Sequence, residues 1–130
     1  MLFRSGALDL YVAHYVDWSA TNNPRCPGPE GHERDVCPPK RFEGLPHSFY
    51  YGQSDGTFRD ATADTGAMPI GKGLGVVTCD LDLDGDLDIY VANDTVANLM
   101  LRNDGTGRFE DVAALGGTAG GGGGLRNPPR

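Results

Sequence analysis

Asp80-Leu81-Asp82-Leu83-Asp84-Gly85-Asp86-Leu87-Asp88 is the stretch on which the reading of this chain turns. Five carboxylates fall on alternate residues, with one glycine directly after the third. Like charge at that density repels itself unless a cation intervenes. A hard cation such as calcium takes roughly 6–8 oxygen ligands at about 2.3–2.6 Å, which carboxylates and carbonyls supply. Asp80, Asp82 and Asp84 can converge on one point if the chain curls after Asp84. Gly85 permits that turn because it reaches positive φ without a Cβ clash. Asp86 is then placed to offer its backbone carbonyl, and Asp88 to close the shell from the far side. Leu81, Leu83 and Leu87 are expected to point the other way and anchor the loop on a core. The competing reading is an acidic solvated turn; strict alternation around one glycine is a demanding pattern and weighs against it.

The flanks decide which kind of loop this is. An EF-hand needs a bidentate Glu at loop position 12 and a helix on each side. The twelfth residue counted from Asp80 is Val91, and the flanks are Gly75-Val76-Val77-Thr78 and Ile89-Tyr90-Val91-Ala92. Runs rich in β-branched and aromatic residues read as strands. The loop is therefore a strand–loop–strand site that closes at its ninth residue, and it is not an EF-hand.

Working outward, the strand after the loop has a twin. Leu8-Asp9-Leu10-Tyr11-Val12-Ala13 and Leu87-Asp88-Ile89-Tyr90-Val91-Ala92 are nearly one hexapeptide, 79 residues apart. A second echo, at an offset of 51, pairs Phe49-Tyr50-Tyr51-Gly52 through Asp60 with Met100-Leu101-Arg102-Asn103 through Asp111. The offsets differ by 28 residues, which implies an insertion in the first copy at about 17–46 that contains Cys26 and Cys37. The second copy reads as four strands, near Leu74–Cys79, Leu87–Ala92, Leu99–Arg102 and Arg108–Ala113. Its third connection, Asn103-Asp104-Gly105-Thr106-Gly107, is a strong hairpin signal. Four antiparallel strands per repeat is the make-up of a propeller blade. The expected fold class is thus all-β: a fragment of a β-propeller with about two blades of four-stranded antiparallel sheet and a calcium loop.

The organisation read from these repeats is a truncated first repeat at 1–62, a complete second repeat at 63–115, and a Gly-rich disordered tail at 116–130. The first copy lacks its opening strand, and Met1, Phe3 and Ser5 stand where Asp80, Asp82 and Asp84 stand in the second. No cation site is expected there. Leu2-Phe3-Arg4-Ser5 is also what a widely used sequencing adapter encodes, so the chain is expected to begin mid-gene, without any leader of the parent protein.

Composition bounds the partners. A formal net charge of −7, with 18 acidic against 11 basic residues, argues against nucleic acid or an anionic membrane surface. No run approaches the roughly 18 apolar residues of a membrane helix. Cys26 and Cys37, 11 residues apart in a Pro/Gly-rich stretch, read as a disulfide, with two free surface thiols or half of a metal site as alternatives. A disulfide implies an oxidising compartment: extracellular, periplasmic or cell surface. Cys79 is expected to be a small buried hydrophobe in a core strand.

Gly71-Lys72-Gly73-Leu74-Gly75-Val76 leading into D-x-D-x-D-G-x-x-D, followed by Asp88-Ile89-Tyr90-Val91-Ala92-Asn93-Asp94-Thr95, resembles the FG-GAP/VCBS repeat. More closely, it is similar to the repeat region of the cartilage acidic protein family, often found beside an ASPIC/UnbV domain. That family has a Cys-containing insertion after its Y-V-A strand and an N-D-G-T-F hairpin, matched here by Cys26…Cys37 and by Ser54-Asp55-Gly56-Thr57-Phe58. The resemblance covers roughly residues 6–115. It implies a calcium-bearing β-propeller, as in the head of integrin α chains. The calcium role carries over to Asp80, Asp82, Asp84, Asp86 and Asp88.

No other chemistry competes strongly. The glycines around Lys72 lack the G-x-x-x-x-G-K-[ST] pattern and precede a strand, so they read as tight packing of a strand entry. His14, His32 and His47 show no metal spacing and are expected in loops or on the surface. Asn93-Asp94-Thr95 is a glycosylation sequon. With no nucleophile in a recognisable setting, the expected function is a non-enzymatic, calcium-binding scaffold of a secreted or cell-surface propeller that binds protein or glycan. The alternative is a non-catalytic part of a larger extracellular hydrolase or biosynthetic accessory protein. One or two blades bury their faces only against neighbours, so the surfaces around Val76, Ile89, Val91 and Leu101 are expected to stay exposed in the isolated chain.

Overall fold

The computed structural model describes residues 7–67 and 69–117. The expectations placed on the first-copy positions Met1, Phe3 and Ser5, and on the tail beyond residue 117, lie outside the described residues. The described residues hold nine strands in chain order: β1 (Leu10–Val12), β2 (Leu45–Pro46), β3 (Ser48–Gly52), β4 (Phe58–Asp60), β5 (Ile70–Gly71), β6 (Gly73–Cys79), β7 (Asp88–Asn93), β8 (Leu99–Asn103) and β9 (Phe109–Asp111). Among the described residues the only helical element is a single 3-10 turn at Pro39–Arg41. The architecture is all-β, as expected.

The strands form a three-stranded sheet β1-β3-β4 and a four-stranded sheet β6-β7-β8-β9, both antiparallel, with a short β2-β5 pair between them. The two sheets share one register. Leu10, Tyr11 and Val12 face Tyr50, Phe49 and Ser48, and their counterparts Ile89, Tyr90 and Val91 face Leu101, Met100 and Leu99. The correspondence continues outward: Tyr50, Tyr51 and Gly52 face Asp60, Arg59 and Phe58, as Leu101, Arg102 and Asn103 face Asp111, Glu110 and Phe109. The offsets of 79 and 51 are thus spatial. Among the described residues, the first sheet holds counterparts of β7, β8 and β9.

Although the registers match, the two copies bury opposite faces. The second sheet buries Ile89, Val91, Leu99, Leu101 and Phe109, whereas the first buries Tyr11 and Phe49, the counterparts of the half-buried Tyr90 and Met100. Together these seven side chains are one core. The Phe49 ring lies 5.1 Å from that of Phe109 and 4.8 Å from that of Tyr11, within the range in which aromatic pairs add to simple burial. Successive units therefore stack front to back.

This stacking corrects one expectation. Ile89, Val91 and Leu101 are fully buried, because Tyr11 and Phe49 of the first sheet cover them. Only Val76 of the four remains partly open, on the edge strand β6 beside the exposed Leu74 and Val77. Cys79, at the end of the same strand, is half-exposed and free instead of buried in a core.

The segment between β1 and β2 is closed at its base. Val16 bridges Gly44, and Asp17 accepts the Glu43 amide at 2.9 Å and the Asn22 side-chain amide at 3.0 Å. Within it, Cys26 and Cys37 form a disulfide. Among the described residues no helix is long and apolar enough to cross a membrane.

His47 departs from the sequence reading. It is fully buried, with its Nδ1 in contact with the Tyr11 hydroxyl. Burial, with help from the nearby His14, pulls its pKa from 6.5 down to about 4. The same burial pushes the Tyr11 hydroxyl far above its ordinary value. A sequence-level signal was absent, because His47 sits between two short strands with no periodic pattern around it.

Candidate metal centre

The acidic loop joins β6 to β7, and its shape follows from two backbone choices. Gly85 has φ of +99°, the conformation that only glycine adopts cheaply. Leu83 is also left-handed, at φ +64°, an uncommon state for a bulky side chain. That twist turns the Leu83 side chain outward, so that it is 87% exposed. Of the three leucines expected to anchor the loop, only Leu87 packs against the core, and Leu81 is largely exposed. The loop is held by hydrogen bonds instead of by apolar anchors on both ends.

Those bonds converge on Asp80. Its two carboxylate oxygens accept the amides of Asp84 and Gly85 at 3.1 and 3.0 Å. Asp82 accepts the Asp84 amide at 3.3 Å. Asp88, fully buried, accepts the Leu81 amide at 2.8 Å through Oδ2 and the Asn103 amide at 2.9 Å through Oδ1. Oxygens of Asp80, Asp82 and Asp88 all lie within 4.8 Å of one another. Burial, followed by the charges of Asp84 and Asp88, raises the Asp82 carboxyl above its ordinary range. Three carboxylates of one sign at that spacing are a donor set suited to a hard, oxygen-seeking cation.

The other two predicted ligands stand apart from that trio. Asp84 turns its Oδ1 back onto the Asp86 amide at 2.9 Å. The Asp86 carboxylate lies over the β8–β9 hairpin, so close that a Cβ on Gly105 would sit 2.7 Å from its Oδ2. The Asp86 carboxylate is thus directed at the hairpin and away from the trio.

Asn103 is the residue that sequence reasoning passed over. Its Oδ1 accepts the Gly105 and Gly107 amides at 3.1 and 3.3 Å, and its Nδ2 donates to the Leu87 carbonyl at 3.3 Å. It ties the hairpin to the acidic loop and positions Asp88. Its place at the head of N-D-G-T-G was the available signal. The first copy preserves half of the arrangement: buried Asp9 accepts the Gly52 amide at 3.0 Å, as Asp88 accepts that of Asn103. The last aspartate is therefore a fixture of the repeat as well as a candidate ligand.

Two further readings resolve in the geometry. Lys72 is buried and donates to the Pro39 carbonyl at 2.9 Å, while a Cβ on Gly71 would meet the Asn93 side chain and one on Gly73 would meet Ala13, so these two glycines pack a tight strand entry. Asn93, in the sequon, is buried, with Oδ1 accepting the Lys72 amide at 2.9 Å and Nδ2 donating to the Ala97 carbonyl at 2.7 Å. Its amide nitrogen is committed to the fold and inaccessible to a glycan.

Compared with known families, the chain matches the FG-GAP-like repeat twice, over residues 46–91 and 80–126. No curated protein and no solved structure matches it. The second matched span begins at Asp80, the first residue of the acidic loop, and the two spans overlap over residues 80–91, the acidic loop and the start of β7. With two sheets in one register, stacked front to back as in a propeller fragment, the chain belongs to the FG-GAP-like repeat family.

Proposed function

We propose that this chain is a calcium-carrying segment of a propeller-type interaction scaffold, and not itself an enzyme. The observation that carries the reading is the convergence of Asp80, Asp82 and Asp88 within 4.8 Å at the turn of a repeated strand–loop–strand unit. Calcium is the cation favoured by an all-oxygen, carboxylate-rich loop with a backbone carbonyl at Asp86. Bound there, it offsets the mutual repulsion of the aspartates and ties β6 to β7, so that binding free energy becomes folding free energy. Asp84 joins the shell when its side chain leaves the Asp86 amide.

The Cys26–Cys37 disulfide supports an extracellular, periplasmic or cell-surface setting. Front-to-back stacking of two units leaves one open face at each end, the geometry by which further blades of the same kind add. The cartilage acidic protein and ASPIC/UnbV relationship is the finer family reading, supported by the Cys-containing insertion after β1. The partners of such a scaffold are a protein or a glycan.

Thermal unfolding with excess calcium and with chelator tests the reading. Calcium is expected to raise the melting temperature, and Asp82→Asn to abolish most of that rise while Glu30→Gln leaves it intact. Equal melting temperatures in the two buffers refute it.

A further inference from the structure

The insertion between Asp17 and Pro46 contains a cleft of about 450 Å³ remote in sequence from the acidic loop. That volume falls within the roughly 300–1,000 Å³ of small-ligand sites. Its apolar lining comes from Trp18, Val36 and the buried Phe42, and its polar lining from Asn23, Arg34 and Asp35. Trp18 is 57% and Val36 88% exposed. Exposing the chain's single tryptophan on a loop costs burial that a core position would recover.

The cleft is also built. The Cys26–Cys37 disulfide and the Cys26–Asp35 bridge fix the strand-like turn that carries Arg34, Asp35 and Val36. Arg34 donates to the Asn23 side-chain oxygen at 2.6 Å across the cleft lining, which leaves most of the five guanidinium donors for a ligand. Asp35 uses one oxygen to accept the Val36 amide at 2.7 Å and retains acceptor capacity. The lining holds one cation and one anion, so it favours neither an anionic nor a cationic ligand.

From this combination we infer that the insertion is a binding site for a neutral oligosaccharide. A pyranose has an apolar C–H face that stacks on an exposed indole by the hydrophobic effect. Its equatorial hydroxyls both donate and accept, matching Arg34, Asn23 and Asp35. The inference deepens the reading of the chain as an interaction scaffold and rests on it, but it does not depend on the metal.

The test uses the full chain with chitotriose, cellotriose and mannotriose as neutral probes and trigalacturonate as the acidic comparison. Because Trp18 is the single tryptophan, its fluorescence reports directly on the cleft. At least one neutral probe is expected to give a saturable change in emission, with Kd on the order of millimolar. In saturation-transfer NMR the signal should vanish in Trp18→Ala, persist weakly in Trp18→Phe and fall at least tenfold in affinity in Arg34→Ala. Cys26→Ser/Cys37→Ser should lose it too. Asp82→Asn and chelator should leave it unchanged, which separates a failure here from a failure of the calcium reading. The inference is overturned by no saturable response to all three neutral probes, by a response to trigalacturonate alone, or by undiminished binding in Trp18→Ala.

Discussion

Asp88→Asn separates the architectural role of an aspartate from its role toward a cation. Asp88 is fully buried and accepts two backbone amides, from Leu81 and Asn103, at 2.8 and 2.9 Å. Asparagine keeps the shape but exchanges one accepting oxygen for an NH₂ group. One of the two amides then faces a donor in a site without water access. A hydrogen bond to a charged acceptor is worth about 1.5–3 kcal/mol, and an unsatisfied buried donor costs about 1–3 kcal/mol. The expected loss is about 2–4 kcal/mol, a fall of about 10 °C or more in melting temperature for a domain of this size. It should appear in chelator, where no cation can be lost. Asp82→Asn provides the contrast. Asp82 is exposed, accepts one long bond at 3.3 Å, and is crowded by Asp84 and Asp88. Its neutralisation in chelator should leave the melting temperature unchanged or raise it. Circular-dichroism melts of both variants, in chelator and in calcium, make the comparison. Wild-type stability of Asp88→Asn in chelator, or destabilisation by Asp82→Asn there, would refute the reasoning.

Stability should fall as pH drops from about 6.5 toward 4. His47 has a folded pKa of about 4 against 6.5 unfolded, so the unfolded chain takes up the proton first; urea melts at pH 7 and pH 5 should show a smaller difference for His47→Gln than for wild type. Mass mapping of a non-reduced digest should recover a Cys26–Cys37 cross-linked peptide, with Cys79 alkylated by iodoacetamide before denaturation because it is half-exposed. Reduction should cost about 2–3 kcal/mol at most, since the closed loop is short. Strand β6, the end strand of its sheet among the described residues, exposes Leu74 and Val77, a template for strand addition. Light scattering should therefore show concentration-dependent association that Val77→Lys reduces, and a strictly monomeric wild type at high concentration would count against open unit faces.

Local chemistry was legible in the residues themselves. Alternating aspartates around Gly85, β-branched flanks and the Asn103–Gly107 turn each fix backbone conformation over a few residues, and periodic spacing exposes them without any knowledge of the fold. Comparing Leu8–Ala13 with Leu87–Ala92 went further and revealed the duplication, because duplicated strands keep one register.

Tertiary structure alone decided which face of each copy is covered. The same alternating pattern puts Tyr11 inward in the first sheet and its counterpart Tyr90 only half inward in the second, since each sheet presents its opposite side to the shared core. It alone buried His47 and Asn93, whose partners Tyr11 and Lys72 come from other segments. It also divided the five aspartates, sending Asp86 to the hairpin and Asp84 to its own loop while Asp80, Asp82 and Asp88 converged. Side-chain direction in a loop depends on φ at single residues and on what the neighbouring hairpin offers, and neither quantity is carried by spacing along the chain.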